Sequence, residues 1–192
     1  MPANLIRGGL LALALAASGS AAAAGFNYNY VEGGFGELEG DGDALFFNGA
    51  HDINKNVGLV GGLYLGDYDP NVDITGLEFG VQYHQPLKSN LSFHTGIKIL
   101  HIEAEWNHPV WGNGYEADDT GLIANAGLRF QVQPKIQLEG DLKFSSNDML
   151  VDDGIGLQVA ARFYLDQNFS IAPGVAIDTE LDGIFVGLRY DL

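Results

Sequence analysis

His101, Glu103 and Glu105 alternate along the stretch His101-Ile-Glu-Ala-Glu105, and His108 follows shortly after. In an extended chain alternate residues share a face, so one imidazole and two carboxylates would stand side by side. Such a set can ligate a metal or move a proton. It is equally what a polar strand looks like where it runs on into water. No spacing of His with Ser or Asp completes a catalytic set, and there is no GxxxxGK[ST], HExxH or G-x-S-x-G motif; the reading is of a protein that is not an enzyme. Two other segments are rich in oxygen ligands and bent by Gly or Pro. Glu37-Leu-Glu-Gly-Asp-Gly-Asp43 carries Glu37, Glu39, Asp41 and Asp43, and Asp67-Tyr-Asp-Pro-Asn-Val-Asp73 carries Asp67, Asp69 and Asp73. Such segments can hold Ca²⁺ or Mg²⁺ weakly, but neither has the closing Glu of a twelve-residue calcium loop. A solvated acidic surface is the alternative. Divalent ions bridging these loops to lipopolysaccharide phosphates would reconcile the two, and no other cofactor is expected.

The basic residues point elsewhere. Arg7 lies in a short apolar N-terminal stretch, Gly8 to Ala17, followed by small residues that end at Ala23 or Ala24. This is the layout of a secretory signal peptide, so residues 1–24 are read as a signal and 25–192 as the mature domain. Without Arg7 the chain has 8 basic against 25 acidic residues, a net charge of −17. That balance disfavours nucleic acid as a partner. Three of the eight bases (Lys55, Lys88, Lys135) fall in short polar turns. The other five, Lys98, Arg129, Lys143, Arg162 and Arg189, each fall on the polar face of a segment that alternates strictly.

Those segments are the elements that must position the charges. In Ile136-Gln-Leu-Glu-Gly-Asp-Leu-Lys-Phe144 every even position is apolar or Gly and every odd one polar. A period of two is a β-strand with two unlike faces, and it recurs along the chain. Ten strands are expected: Phe26 to Gly36, Ala44 to Asp52, Val57 to Asp67, Thr75 to Tyr83, Leu91 to Glu105, Thr120 to Gln133, Ile136 to Ser145, Gly154 to Leu165, Phe169 to Asp178 and Ile184 to Leu192. Eight remain possible if the first hairpin is misread. Nine to eleven residues suffice for a tilted strand to cross a bilayer.

Alternation alone fits a soluble barrel as well, since the two classes differ in which face meets water. Two features favour the membrane. Tyr83, Phe93, Phe130, Phe163, Phe169 and Tyr190 all fall on apolar faces at one end of the strands, as an interfacial aromatic girdle does. Connections at that end are short, and those at the other are longer and acidic, the pattern of periplasmic turns and external loops. The expected fold is an all-β, antiparallel, up-and-down transmembrane barrel in the Gram-negative outer membrane, in contact with its lipid and lipopolysaccharide. Trp106 and Trp111 would be partner anchors for an unidentified surface ligand, or interface aromatics.

With the apolar face outward, the lumen receives Glu32, Glu78, Lys98, Arg129, Glu139, Asp141, Lys143, Arg162 and Arg189. Buried charges are costly unless paired, and small barrels have room inside for little but side chains. The expectation is an ion-paired, largely plugged lumen, in a protein of envelope structure or surface interaction. The alternative is a narrow cation-preferring channel drawn by the acidic mouth; a rim enzyme at His101 is a third reading.

Asn27-Tyr-Asn-Tyr-Val-Glu-Gly-Gly-Phe35 after an alanine-rich signal resembles the start of small proteobacterial outer-membrane β-barrel proteins of the xanthomonad type. Leu165-Asp-Gln-Asn-Phe-Ser-Ile171 resembles their penultimate turn. In architecture this family is similar to the OmpX and OmpA membrane domains. The resemblance implies insertion by the barrel assembly machinery, which usually reads a terminal Phe or Trp where this chain has Leu192. It implies a membrane address and a shape, but no particular activity.

Overall fold

The computed structural model describes residues 26–38, 42–69, 72–106, 115–146, 154–177 and 183–192; the expected signal peptide lies outside them. Ten strands follow in order: β1 (Tyr30–Leu38), β2 (Gly42–Asn54), β3 (Val57–Asp69), β4 (Val72–Lys88), β5 (Leu91–Trp106), β6 (Tyr115–Gln133), β7 (Ile136–Ser145), β8 (Gly154–Tyr164), β9 (Phe169–Ile177) and β10 (Gly183–Asp191). Each pairs antiparallel with its sequence neighbours, and β1 pairs with β10 to close the ring. The fold is a closed ten-stranded up-and-down barrel; the eight-stranded alternative is discarded.

Several boundaries differ from expectation. The first strand starts at Tyr30 rather than Phe26, because the Asn29 side chain accepts the Asp52 N–H at 2.7 Å where a longer strand would use its backbone. The fourth strand continues past Tyr83 to Lys88, so its turn shrinks to residues 89–90. Pro86 is tolerated there because it sits at a register shift, where the ladder already lacks a bond. Only residues 70–71 join β3 to β4, so that expected long acidic loop is largely strand. The turn between β8 and β9 is closed by Asp166, which accepts the Asn168 and Phe169 N–H groups at 2.8 and 2.7 Å. These two bonds hold its carboxyl below the ordinary aspartate range.

Over most of the wall the apolar face is the outer one. Leu77, Phe79, Leu138, Leu142 and Phe144 are all exposed, whereas Glu78, Arg129, Arg162 and Arg189 are buried inside. A soluble barrel would have the reverse.

The alternation inverts near the loop end of the tall strands. On β5, Ile97 and Ile99 point out, but Leu100 and Ile102 point in and are 0% exposed. Beyond Ile99 the outer face reads His101, Glu103 and Glu105. On β4, Val72 and Ile74 are buried inside while Leu77 and Phe79 face out. With Ala44, Phe46, Tyr64, Ala104, Ile123 and Phe185 these inward residues form one apolar cluster. It spans the loop-end part of the lumen, where β4, β5 and β6, at 17, 16 and 19 residues, outrun a bilayer crossing. The outside of the wall is polar there and the inside apolar, as in a soluble barrel. Glycine makes room for the rings: Phe46 packs against Gly34, and Phe185 against Gly174, so closely that a Cβ at either site would collide with the ring.

Candidate functional site

The inward charges come together in the middle of the lumen. Arg162 of β8, 1% exposed, donates through Nε to Glu139 Oε1 of β7 at 2.7 Å and through Nη2 to Glu32 Oε1 of β1 at 3.1 Å. Arg189 of β10 reaches the same Glu32 at 2.6 Å and lies 3.6 Å from Glu139. Two arginines from separate strands thus share two carboxylates, and Ser170 and Gln137 complete the cluster through Arg162 Nη1 and Glu139 Oε1. A second pair, Lys98 with Glu78, lies at 2.5 Å between β5 and β4. A third centre is Asp141, which is 2.6 Å from His94 Nε2 and accepts the Asn125 amide at 3.1 Å. All nine charged residues expected in the lumen line one cavity of about 140 Å³, with Phe46, Tyr64 and Phe185 at its apolar border.

The end of the lumen nearest the turns is filled by the segment before β1. Tyr28 is 3% exposed. Its ring stacks on His84 at 3.8 Å between centroids, the Arg129 guanidinium sits 4.2 Å from its centre, and its hydroxyl is 2.9 Å from Ser92 Oγ. His84 is itself 2.8 Å from Asp52, and Arg129 Nη1 donates to the Asn27 carbonyl at 3.0 Å. The expected fourth strand stops at Tyr83, one residue short of His84, and the expected lumen set does not include Tyr28. Parity carried the signal, because Tyr28 and Tyr30 fall in phase with the inward Glu32.

The six expected girdle aromatics lie outward at the turn end. Tyr83, Phe130 and Tyr190 are exposed, Phe93, Phe163 and Phe169 are half-buried, and Phe169 pairs with Tyr190. At the loop end, Trp106 is exposed. His101 faces outward, its Nδ1 2.8 Å from Thr120 Oγ1 and its Nε2 3.4 Å from Glu103. Glu105 falls on the same face; Trp111 and His108 lie outside the described residues.

The barrel register brings acids from separate connections into line. Glu37 pairs with Asp43, Asp43 with Asp67, Asp67 with Asp73, Asp73 with Glu105, and Glu105 with Glu116. Six carboxylates therefore run across the loop ends of six strands. Directly opposed like charges repel, so this line is a source of negative potential at the mouth. Among the described residues no three His, Asp or Glu side chains form a group able to hold a metal. Of the suggested cation ligands, Glu39 and Asp41 lie outside the described residues, as does the Asp69 side chain.

No protein-family model matches the sequence, and no curated protein does. Solved structures do. The KdgM porin, alone or in complex with disordered oligogalacturonate, is 14% identical, with a TM-score of 0.50 over 85% of this chain and 99% of that one. The N-terminal β-barrel domain of Pseudomonas aeruginosa OprF is 15% identical, with a TM-score of 0.47 over 86% and 100%. At such identities the likeness is one of fold, and the fold is that of outer-membrane β-barrels.

Proposed function

We propose that this chain is an outer-membrane barrel closed by its own side chains, one that acts in envelope structure and surface interaction rather than in transport or catalysis. The carrying observation is the filling of the lumen at three levels: Tyr28 at the turn end, the Arg162–Arg189–Glu32–Glu139 cluster in the middle, and the apolar cluster around Leu100 and Ile102 at the loop end. Hydrated ions meet an apolar barrier at one level and fixed ion pairs at another. The exposed apolar belt supports residence in lipid, with the short turns periplasmic and the loops external. The tall wall of β4, β5 and β6 with its line of acids is then the surface presented to lipopolysaccharide and to partners. Membership of the small xanthomonad-type barrels, assembled by the barrel machinery, belongs to the same reading.

A narrow cation-preferring channel is the second reading, favoured by the carboxylate line from Glu37 to Glu116. Planar-bilayer recording of the refolded protein separates the two. The closed reading expects a baseline without steps, and steady cation-selective steps would establish the channel instead.

A further inference from the structure

Two neighbouring strands of the wall differ in height. β6 has 19 residues and β7 only 10. Their ladder ends at Ile123 with Ser145, where the Leu122 N–H donates to Ser146 Oγ and the Ser146 N–H to the Leu122 carbonyl, both at 2.9 Å. Beyond that point residues 115–121 of β6 pair with β5 on one side and, among the described residues, with no strand on the other. Backbone groups point to alternate sides along a strand. Leu122 turns its N–H and C=O toward β7, so Thr120, Asp118 and Glu116 turn theirs to the open side. Asp119 Oδ1 accepts the Thr120 N–H at 2.8 Å; the N–H groups of Asp118 and Glu116 have no partner among the described residues. An open edge of this kind is not tolerated in lipid. This one stands clear of it: Leu122 is level with Ile99, the last outward apolar residue of β5, and Thr120 with His101. The edge begins where the polar outer face begins.

We propose that this edge takes up an extended, lysine- or arginine-rich segment of a partner protein as an added strand. Strand addition draws affinity from main-chain bonds and selectivity from alternate side chains. The side chains that select here are acids. Glu116 and Asp118 are exposed on the outer face, directly opposite Glu105 and Glu103 of β5. Basic residues at alternate positions of the incoming strand balance these like charges. The same acids exclude a second copy of this chain, whose edge would bring carboxylates against carboxylates. The chain's own connection from β7 to β8 is a poor occupant too. Ser146 is still bonded to β6, and Gly154 already pairs back on Ser145. The seven residues between them must climb and return, so at ~3.3 Å each they rise no higher than the level of Asp118. Their charged residues, Asp148, Asp152 and Asp153, are all acidic. This assignment rests on the reading of the tall wall as the partner-facing surface, and is independent of whether the lumen conducts.

The probe is a soluble decapeptide of alternating Lys and Thr, titrated against the full barrel in zwitterionic nanodiscs. Saturable binding is expected. The Asp118 and Glu116 amides should exchange fast with solvent in the free barrel and about tenfold more slowly with the peptide bound. The same peptide N-methylated at alternate residues keeps every charge but loses the donors of one edge, and should bind about tenfold more weakly. Asp118→Pro removes the N–H on the open side while Ala117 and Asp119 keep their pairing with β5. It should weaken binding to a similar degree relative to Asp118→Asn, which removes the same charge and keeps the N–H. Equal binding of the two peptides means attraction by charge alone and overturns the proposal. Absence of binding overturns it as well. So do Asp118 and Glu116 amides already protected in the free barrel, since the chain would then cover its own edge. If Asp118→Pro does not fold, the two peptides on the wild type decide. None of these failures touches the closed lumen, and conductance steps would overturn the closed lumen without touching the edge.

Discussion

Arg162 shows how one residue ties the interior together. It bonds to Glu139, Glu32 and Ser170 at once, so strands β7, β8, β9 and β1 meet at a single guanidinium. Removing one partner of a buried ion pair strands the other, and such losses run at about 3–5 kcal/mol. Arg162→Met should lower stability by about that amount, read as a shifted midpoint in equilibrium urea unfolding of the refolded protein. Adding Glu139→Gln removes one of the two stranded carboxylates and should recover part of the loss, because sites in contact are not additive. Asp166 makes a contrasting case at the turn end, fully in water. Its native carboxyl is held low by the Asn168 and Phe169 N–H groups, with help from Lys135. A depressed native value means that the unfolded chain takes up the proton first. The contribution to stability is therefore complete above the unfolded value of about pH 4 and fades as pH falls through the native value. Asp166→Ala should destabilise the barrel at pH 7, and its deficit should shrink in unfolding measurements taken below about pH 4. A deficit constant with pH would assign the turn's stability to something other than the ionised carboxylate.

The strands are where sequence reasoning was strongest and where its limit shows. The strand Ile136–Ser145 has the expected bounds, because alternation there is unbroken and a two-residue turn fixes its start. Alternation reports faces but not where the surroundings change from lipid to water. On β5 the adjacent pair Ile99 and Leu100 marks that change: one apolar residue faces out, the next faces in, and the phase of the strand never slips. A single reading of Leu91 to Glu105 as one half-polar strand passes over it. The carboxylate line was hidden for another reason. Its members come from three separate hairpins, and only the register of the sheet joins them into one line. Tyr28 was hidden because the pattern of the first strand continues below Tyr30 after its backbone pairing has ended. The inversion on β5 is open to a direct test. Nitroxides at Ile99 and Glu103 stand on the same outer face, four residues or about 13 Å apart along the strand. In reconstituted bilayers the label at 99 should collide with dissolved oxygen and the label at 103 with an aqueous nickel chelate. Oxygen contact at both sites would mean that the membrane reaches higher than the polar outer face permits.

For the molecule as a whole, the decisive event is closure. Nine of the ten strand pairings join neighbours in sequence, and each can form as a local hairpin. The tenth, β1 with β10, joins the two ends of the domain and must wait for all the rest. Contacts of such long sequence separation are slow to form, because loop-closure entropy is spent before they return anything. The seam also has a gap in its inward side chains, where Gly34 pairs with Gly187. What distinguishes it is Glu32. This β1 residue is opposite Arg189 in register, accepts its Nε at 2.8 Å, and takes Arg162 from β8 as well. Asn27 and Asn29 add bonds from the N-terminal segment to Leu192 at the same seam. A residue that latches closure, rather than merely adding to packing, should matter to the rate at which the compact form appears. Glu32→Gln keeps the shape of the side chain and removes its charge, leaving both arginines under-compensated. During refolding into detergent, its compact, heat-modifiable gel band should therefore appear more slowly than that of the wild type. Glu78→Gln is the control, since its partner Lys98 lies on the adjacent strand and their pairing precedes closure. Equal slowing by the two variants would make the interior charges a general requirement for packing and would remove any special role for the seam.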